Sequence, residues 1–166
     1  VAALKGAAPA AQIIFFPPSD ALPGDTQPPT AANAGLRLSA LRKARDAFKS
    51  SGRGRLVCVT TAEAASELLP DPKVFDVALP RLRVRDKVDA HVFAKSIRDL
   101  GYFEDDRVDE PGEYAIHGKV IDIFPADATT PVRVELADGA VTRVREFDSV
   151  SQRGQIGRAS CRERVY

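Results

Sequence analysis

Arg133 and Glu135 stand two residues apart in the segment Pro131 to Leu136, PVRVEL, so on a strand both project to the same face and offer a guanidinium fork beside a carboxylate. Such a couple can bind a complementary pair on another protein with the charges of both sides satisfied. It can equally be two solvated strand charges, paired across a hairpin with Arg143 or Arg145, and on the residues alone this plainer reading is favoured. Catalytic candidates are thinner. His91 and His117 are the two histidines. His91 falls on the polar side of a helical pattern, and His117 would form a triad with Asp122 and Ser149 only beside a G-x-S-x-G turn, which surrounds no serine here. Glu104, Asp105, Asp106, Asp109 and Glu110 crowd one stretch without the D-x-D-x-D-G rhythm of a calcium loop, which leaves a solvated acidic loop. Cys58 lies in an apolar run and reads as a buried inert thiol. Neither cysteine has the C-x-x-C or Cys/His neighbours of a zinc site. No G-x-x-x-x-G-K-[ST] occurs, so the cradle that holds nucleotide phosphates is absent. Neither catalysis nor a cofactor or metal is expected of these residues.

The elements that must position Arg133 and Glu135 are strands. Val120, Ile121, Ile123 and Phe124 form one, interrupted by Asp122 and stopped by Pro125, which lacks a ladder N–H. Val132, Val134 and Leu136 alternate with Arg133, Glu135 and Ala137 in the next. Asp138-Gly139 supplies the two positive-φ positions of a tight turn, and Val141, Val144 and Phe147 return on a third strand whose uneven spacing predicts a bulge. Upstream, Phe93, Ile97 and Leu100 mark a helix face between an N-cap at Asp89 and a left-handed stop at Gly101.

The first part of the chain has a different grammar. Val1 to Ala11 is Ala-rich and reads as the end of a helix. Gln12 to Phe16 and Arg55 to Thr60 are expected to be buried parallel strands, with a loop from Ser19 to Asn33. Between the strands Leu38, Leu41, Ala44 and Phe48 predict an amphipathic helix from Leu36 to Ser50, stopped by Gly52 and Gly54. Its other face carries Arg37, Arg42, Lys43, Arg45 and Lys49, suited to nucleic-acid phosphate or to water. Water is favoured because no aromatic residue interleaves. Thr61 is expected to cap a further helix through Leu69 to Pro70. Alternating strands and helices imply a parallel sheet, and Pro70 to Lys73 mark a boundary.

With 166 residues and a formal charge of +1, neither size nor charge argues for a nucleic-acid partner. No apolar run approaches the ~20 residues of a membrane span, and no basic-then-apolar leader is present, so a cytoplasmic protein without membrane partners is expected. Ile156 to Val165, IGRASCRERV, reads as a translated sequencing adapter, so the native sequence is expected to stop near Gly154. Arg158, Arg162 and Arg164 against Glu163 contribute +2 of the charge, which leaves the remainder at −1.

GEYAIHGKVIDIFP, PVRVEL, DG, VREFD and SQR, in this order and spacing, resemble the small domain shared by the bacterial transcription-repair coupling factor and the excision-repair protein UvrB, with GEYA and SQR leaning towards the former. The resemblance covers Pro70 to Arg153 well and Gln12 to Leu69 loosely, where SDALPGD, Ser19 to Asp25, keeps Leu22-Pro23 and Asp25 but lacks the family's Trp and Tyr. It implies an α/β fold in which a degenerate RecA-like parallel-sheet portion, residues 1–70, precedes a small α+β domain with an antiparallel sheet, residues 71–154. Residues 155–166 are expected to be a non-native tail. It further implies that the second domain docks the damage-recognition protein UvrA through positions matching Arg133, Glu135 and His117, the last an Arg in the family, while Ala137 stands where the coupling-factor branch has an aromatic contact. It reverses the odds on Arg133 and Glu135 in favour of recognition. The parent would recruit UvrA to stalled RNA polymerase and translocate on duplex DNA with ATP and Mg, through parts absent here. A UvrB or other helicase fragment, and a paralogue that no longer binds UvrA, stay open as alternatives.

Overall fold

A computed structural model describes residues 2–21, 24, 26–49, 55–76, 79–154 and 164–165. Leu22, Pro23 and Asp25, the stop signals Gly52 and Gly54, and most of the tail lie outside the described residues. The chain divides into two compact units, Val1–Val77 and Ala78–Tyr166.

In the first unit α1 (Ala2–Ala7) precedes β1 (Ala11–Phe16), α2 (Ala31–Lys49), β2 (Arg55–Thr60) and α3 (Ala62–Ser66). β1 and β2 pair in parallel with Ile14 opposite Cys58, as the strand-helix-strand pattern requires. Ile14, Phe16, Ala40 and Ala64 form the buried centre, with Leu41, Ala44 and Leu56 against it. Several expectations need correction. The helix begins at Ala31 rather than Leu36, because the Thr30 hydroxyl accepts the Asn33 N–H at 3.2 Å and so caps an Ala-rich start. Leu38 and Phe48 are 50 % and 79 % exposed while Ala40 is buried. Small side chains let the helix lie close to a two-stranded sheet that is too narrow to cover the rest. Arg37 turns inward from the supposedly solvated face. Its Nη1 donates to Pro17 O at 2.7 Å, its guanidinium lies 4.5 Å from the Phe16 ring centre, and its Nη2 pairs with Glu67. That pairing also explains why α3 stops at Ser66 and not near Leu69: Glu67 takes an extended conformation to meet Arg37. Cys58 is exposed rather than buried, since β2 has only β1 beside it among the described residues.

The second unit lays one helix on a five-stranded sheet. β3 (Arg81–Leu82) is followed by α4 (Ala90–Arg98), then β4 (Phe103–Glu104), β5 (Glu113–His117), β6 (Val120–Ile123), β7 (Val132–Ala137) and β8 (Ala140–Glu146). The sheet order is β4-β5-β6-β7-β8, antiparallel except for the parallel β4–β5 pair. β3 pairs with β9 (Arg164–Val165). Phe93, Ala94 and Ile97 of α4 pack on Tyr114, Ile121, Ile123, Val132, Val134 and Val141, the apolar set that period two places on one face. The other face carries a smaller core of Val108, Ala115, Phe124 and Phe147.

The turns follow the sequence. Asp138 and Gly139 have φ of 51° and 72° and join Ala137 to its partner Ala140. The expected bulge lies between Glu135 and Leu136: Glu135 faces Arg143 but Leu136 faces Val141, so Thr142 is the extra residue. Gly101 takes φ of 93° past the end of α4.

Asp89 caps α4 by accepting the His91 and Val92 N–H groups at 2.9 and 3.1 Å, and these bonds, Val92's first, hold its carboxyl below the usual carboxylate range. A carboxylate depressed in the folded state stabilises the fold above its unfolded pKa and loses that contribution as pH falls through the folded value. Asp89→Asn keeps an oxygen acceptor without the charge. It is expected to flatten the acid-side slope of melting temperature against pH, and an unchanged slope would remove Asp89 from the account.

Candidate docking face

The sheet register decides which side chains meet. On the face opposite α4, His117, Val120, Glu135 and Arg143 form one cross-strand row, and Ala115, Asp122, Arg133 and Arg145 form the next. Strands lie about 4.8 Å apart, so His117 and Glu135, separated by one strand, are about 10 Å apart across the row. The three positions singled out for recognition therefore share one face. The tight turn after His117 has positive φ at Gly118, 60°, and fixes this register.

Asp122 is 3 % exposed and takes both its oxygens to Arg133: Nε donates to Oδ1 and Nη2 to Oδ2, each at 2.7 Å. This side-on fork is the strong form of an ion pair, and it raises the Arg133 pKa above its ordinary value, the hydrogen bonds that Arg133 donates to Asp122 contributing most. Beneath it the guanidinium carbon lies 4.8 Å from the ring centre of the fully buried Phe147, a cation–π contact. Arg133 is thus gripped from two sides with its side chain 22 % exposed. Two of its five N–H donors are consumed. Nη1 has no hydrogen-bond partner among the described residues and is not shut off from solvent.

Glu135 pairs with Arg145, Nη2 to Oε1 at 2.7 Å, one of the two cross-strand partners considered from sequence. Arg143 is exposed and makes no ion pair among the described residues. His117 is exposed, with Nε2 3.2 Å from Asp106 O. Ala137 lies on the same face, half-buried beside the turn. A triad of His117, Asp122 and Ser149 is not assembled, because Arg133 takes both Asp122 oxygens and His117 Nε2 meets the Asp106 carbonyl instead. The acidic loop is tied down from within: Glu104 accepts from Arg98 at 2.8 Å and Tyr114 at 3.0 Å, and Asp109 accepts from Arg107 at 2.8 Å. Among the described residues no three His, Cys, Asp or Glu side chains gather as a metal would need, and no helix is long and apolar enough to cross a membrane.

Sequence reasoning missed Asp122 and Phe147 as parts of this face. Asp122 had left a signal: it is the one charge in the apolar strand VIDIF, and a charge there at the period-two position opposite Ile121 and Ile123 demands a partner.

A family model described as "UvrB interaction domain" matches residues 81–160. The chain is 33 % identical over 97 residues to a transcription-repair-coupling factor of Bacillus subtilis, covering 58 % of this chain and 8 % of the relative. It is 38 % identical over 72 residues to one of Staphylococcus epidermidis, covering 43 % and 6 %, and 35 % identical over 74 residues to one of Staphylococcus aureus, covering 45 % and 6 %. The chain therefore spans less than a tenth of the length of these relatives.

Removing Arg133 leaves the Asp122 carboxylate buried and unpaired. Arg133→Ala is expected to cost about 3 kcal/mol or more in denaturant unfolding, and removing both partners together less than the sum of the single losses. Additive losses would mean that the pair is not energetically coupled.

Proposed function

We propose that the face bearing His117, Arg133 and Glu135, within the stretch that matches the UvrB interaction domain model, docks UvrA, and that the protein thereby recruits UvrA to stalled RNA polymerase in transcription-coupled excision repair. One observation carries the reading: the register of β5, β6 and β7 gathers on a single face the residues that the family resemblance assigns to docking, although they come from two strands, β5 and β7, with β6 between them. The similarity to proteins named transcription-repair-coupling factors supports the repair context. On this reading the segment works by binding alone, without a cofactor of its own, and contact with RNA polymerase and duplex DNA belongs to other segments of a longer protein.

The face suits the task chemically. Arg133 offers donors from a rigid, stacked position, so little side-chain entropy is lost on binding. His117 is shorter than an arginine and is held by one 3.2 Å contact to the Asp106 carbonyl, so it is the weakest member of the set.

Titration calorimetry of the 166-residue chain against UvrA tests this. The wild type is expected to bind, and Arg133→Gln to lose about 2–4 kcal/mol as a hot-spot residue does. His117→Arg, at an exposed position where it cannot injure the core, is expected to tighten binding. Absence of wild-type binding, or indifference to both substitutions, would sink the proposal.

A further inference from the structure

Asp122 makes Arg133 costly to remove, and its geometry also decides which part of Arg133 a partner protein can reach. A free arginine presents its side-on edge, Nε with one Nη, and its end-on edge, the two Nη groups, with similar ease. Here the side-on edge is taken. Nε and Nη2 donate to the two Asp122 oxygens at 2.7 Å each, the guanidinium plane rests on Phe147, and the accessible donors are those of Nη1 with the second N–H of Nη2. Two fixed contacts leave the group no free rotation.

The charges around it set what would be recognised. Asp122 is neutralised by Arg133 and Glu135 by Arg145, while Arg143, on the same face in the row of His117 and Glu135, has no ion pair among the described residues. The face has one cation more than its carboxylates require, before His117 is counted. An end-on pair of N–H donors beside an unpaired guanidinium matches a carboxylate side chain in an acidic patch.

We infer that Asp122 is a positioning residue for the docking face: its buried carboxylate takes the side-on edge of Arg133 and so aims the end-on edge at a carboxylate of UvrA, with Arg143 as a flanking contact. This rests on the docking reading above. It differs from a purely structural role because it requires Asp122 to act on binding through Arg133.

The test is a binding cycle on the full 166-residue chain with wild type, Asp122→Asn, Arg133→Gln and the pair together, each titrated into UvrA and checked for folding by the amide NMR spectrum. Asp122→Asn is expected to weaken binding about tenfold to a hundredfold, the range for a charge-assisted hydrogen bond, and to add nothing in the Arg133→Gln background. In the unbound wild type the Arg133 Nε–H resonance should be sharp and protected from exchange, and Asp122→Asn should abolish that protection. Should Asp122→Asn unfold, Arg133→Lys decides the matter. It keeps a charge for Asp122 but has no second edge, so it should stay folded and bind as weakly as Arg133→Gln. Wild-type affinity in Asp122→Asn, equal losses with and without Arg133, or wild-type affinity in Arg133→Lys would each overturn the positioning role while leaving docking intact. A wild-type chain that fails to bind would overturn docking itself.

Discussion

The second unit depends on the ion pair between Asp122 and Arg133. A carboxylate 3 % exposed in the middle of a sheet is tolerable only if its desolvation is offset by hydrogen bonds of good geometry, and here both oxygens receive one. The pair spans adjacent strands at directly opposed positions, so it acts as a register lock: slipping β7 by one residue would set Val132 or Val134 against Asp122 and leave both charges stranded. Phe147, under the guanidinium, binds the return strand into the same arrangement. The turn after β8 is held in place by Gln152, which donates to Val108 O at 3.3 Å and Ser149 O at 2.7 Å, and by Arg107, which donates to Val150 O at 2.8 Å. The second small core and the candidate docking face are thus one construction, with apolar side chains at one end and a fixed cation above them.

Much of this unit was legible in the chain because its signals are local. Asp138-Gly139, the Asp89 cap, the Gly101 stop and the alternation through Val132 to Ala137 each act within a few residues, and each has the conformation that its chemistry demands. The bulge was legible for the same reason, since Val141 and Val144 are three apart where a regular strand needs two or four. What could not be read was pairing across strands. Arg133 finds Asp122 and not a residue of β8, and Glu135 finds Arg145 and not the directly opposed Arg143. That choice depends on side-chain reach and on the twist and bulge of the sheet, which composition does not encode.

The first unit was harder to read, and for a physical reason. A helix over a two-stranded sheet has little apolar surface to meet, so the rule that the apolar face turns inward weakens. Ala40 goes inside while Leu38 and Phe48 remain in water. Arg37, read as a solvated charge, does the work of a core residue by laying its guanidinium on Phe16 and taking Glu67 out of helical conformation. The same device appears in both units: an arginine flat on a phenylalanine, fixed by a carboxylate from a neighbouring element. In each case a long cationic side chain covers a buried phenylalanine ring while keeping its charged head paired.

The charge arrangement also bears on how such a face would bind. Most of its ionised groups are already paired within the unit, and the chain as a whole carries a formal charge of only +1, so long-range attraction contributes little to encounter. Recognition must then come from short-range fit, expressed in the lifetime of the complex more than in its rate of formation. A fixed guanidinium suits that regime, because its ordering has been paid for in folding and is not charged again on binding. His117 lacks this advantage. Exposed and with one 3.2 Å contact to a loop carbonyl, it is the member of the face through which affinity is most readily tuned without disturbing the fold beneath.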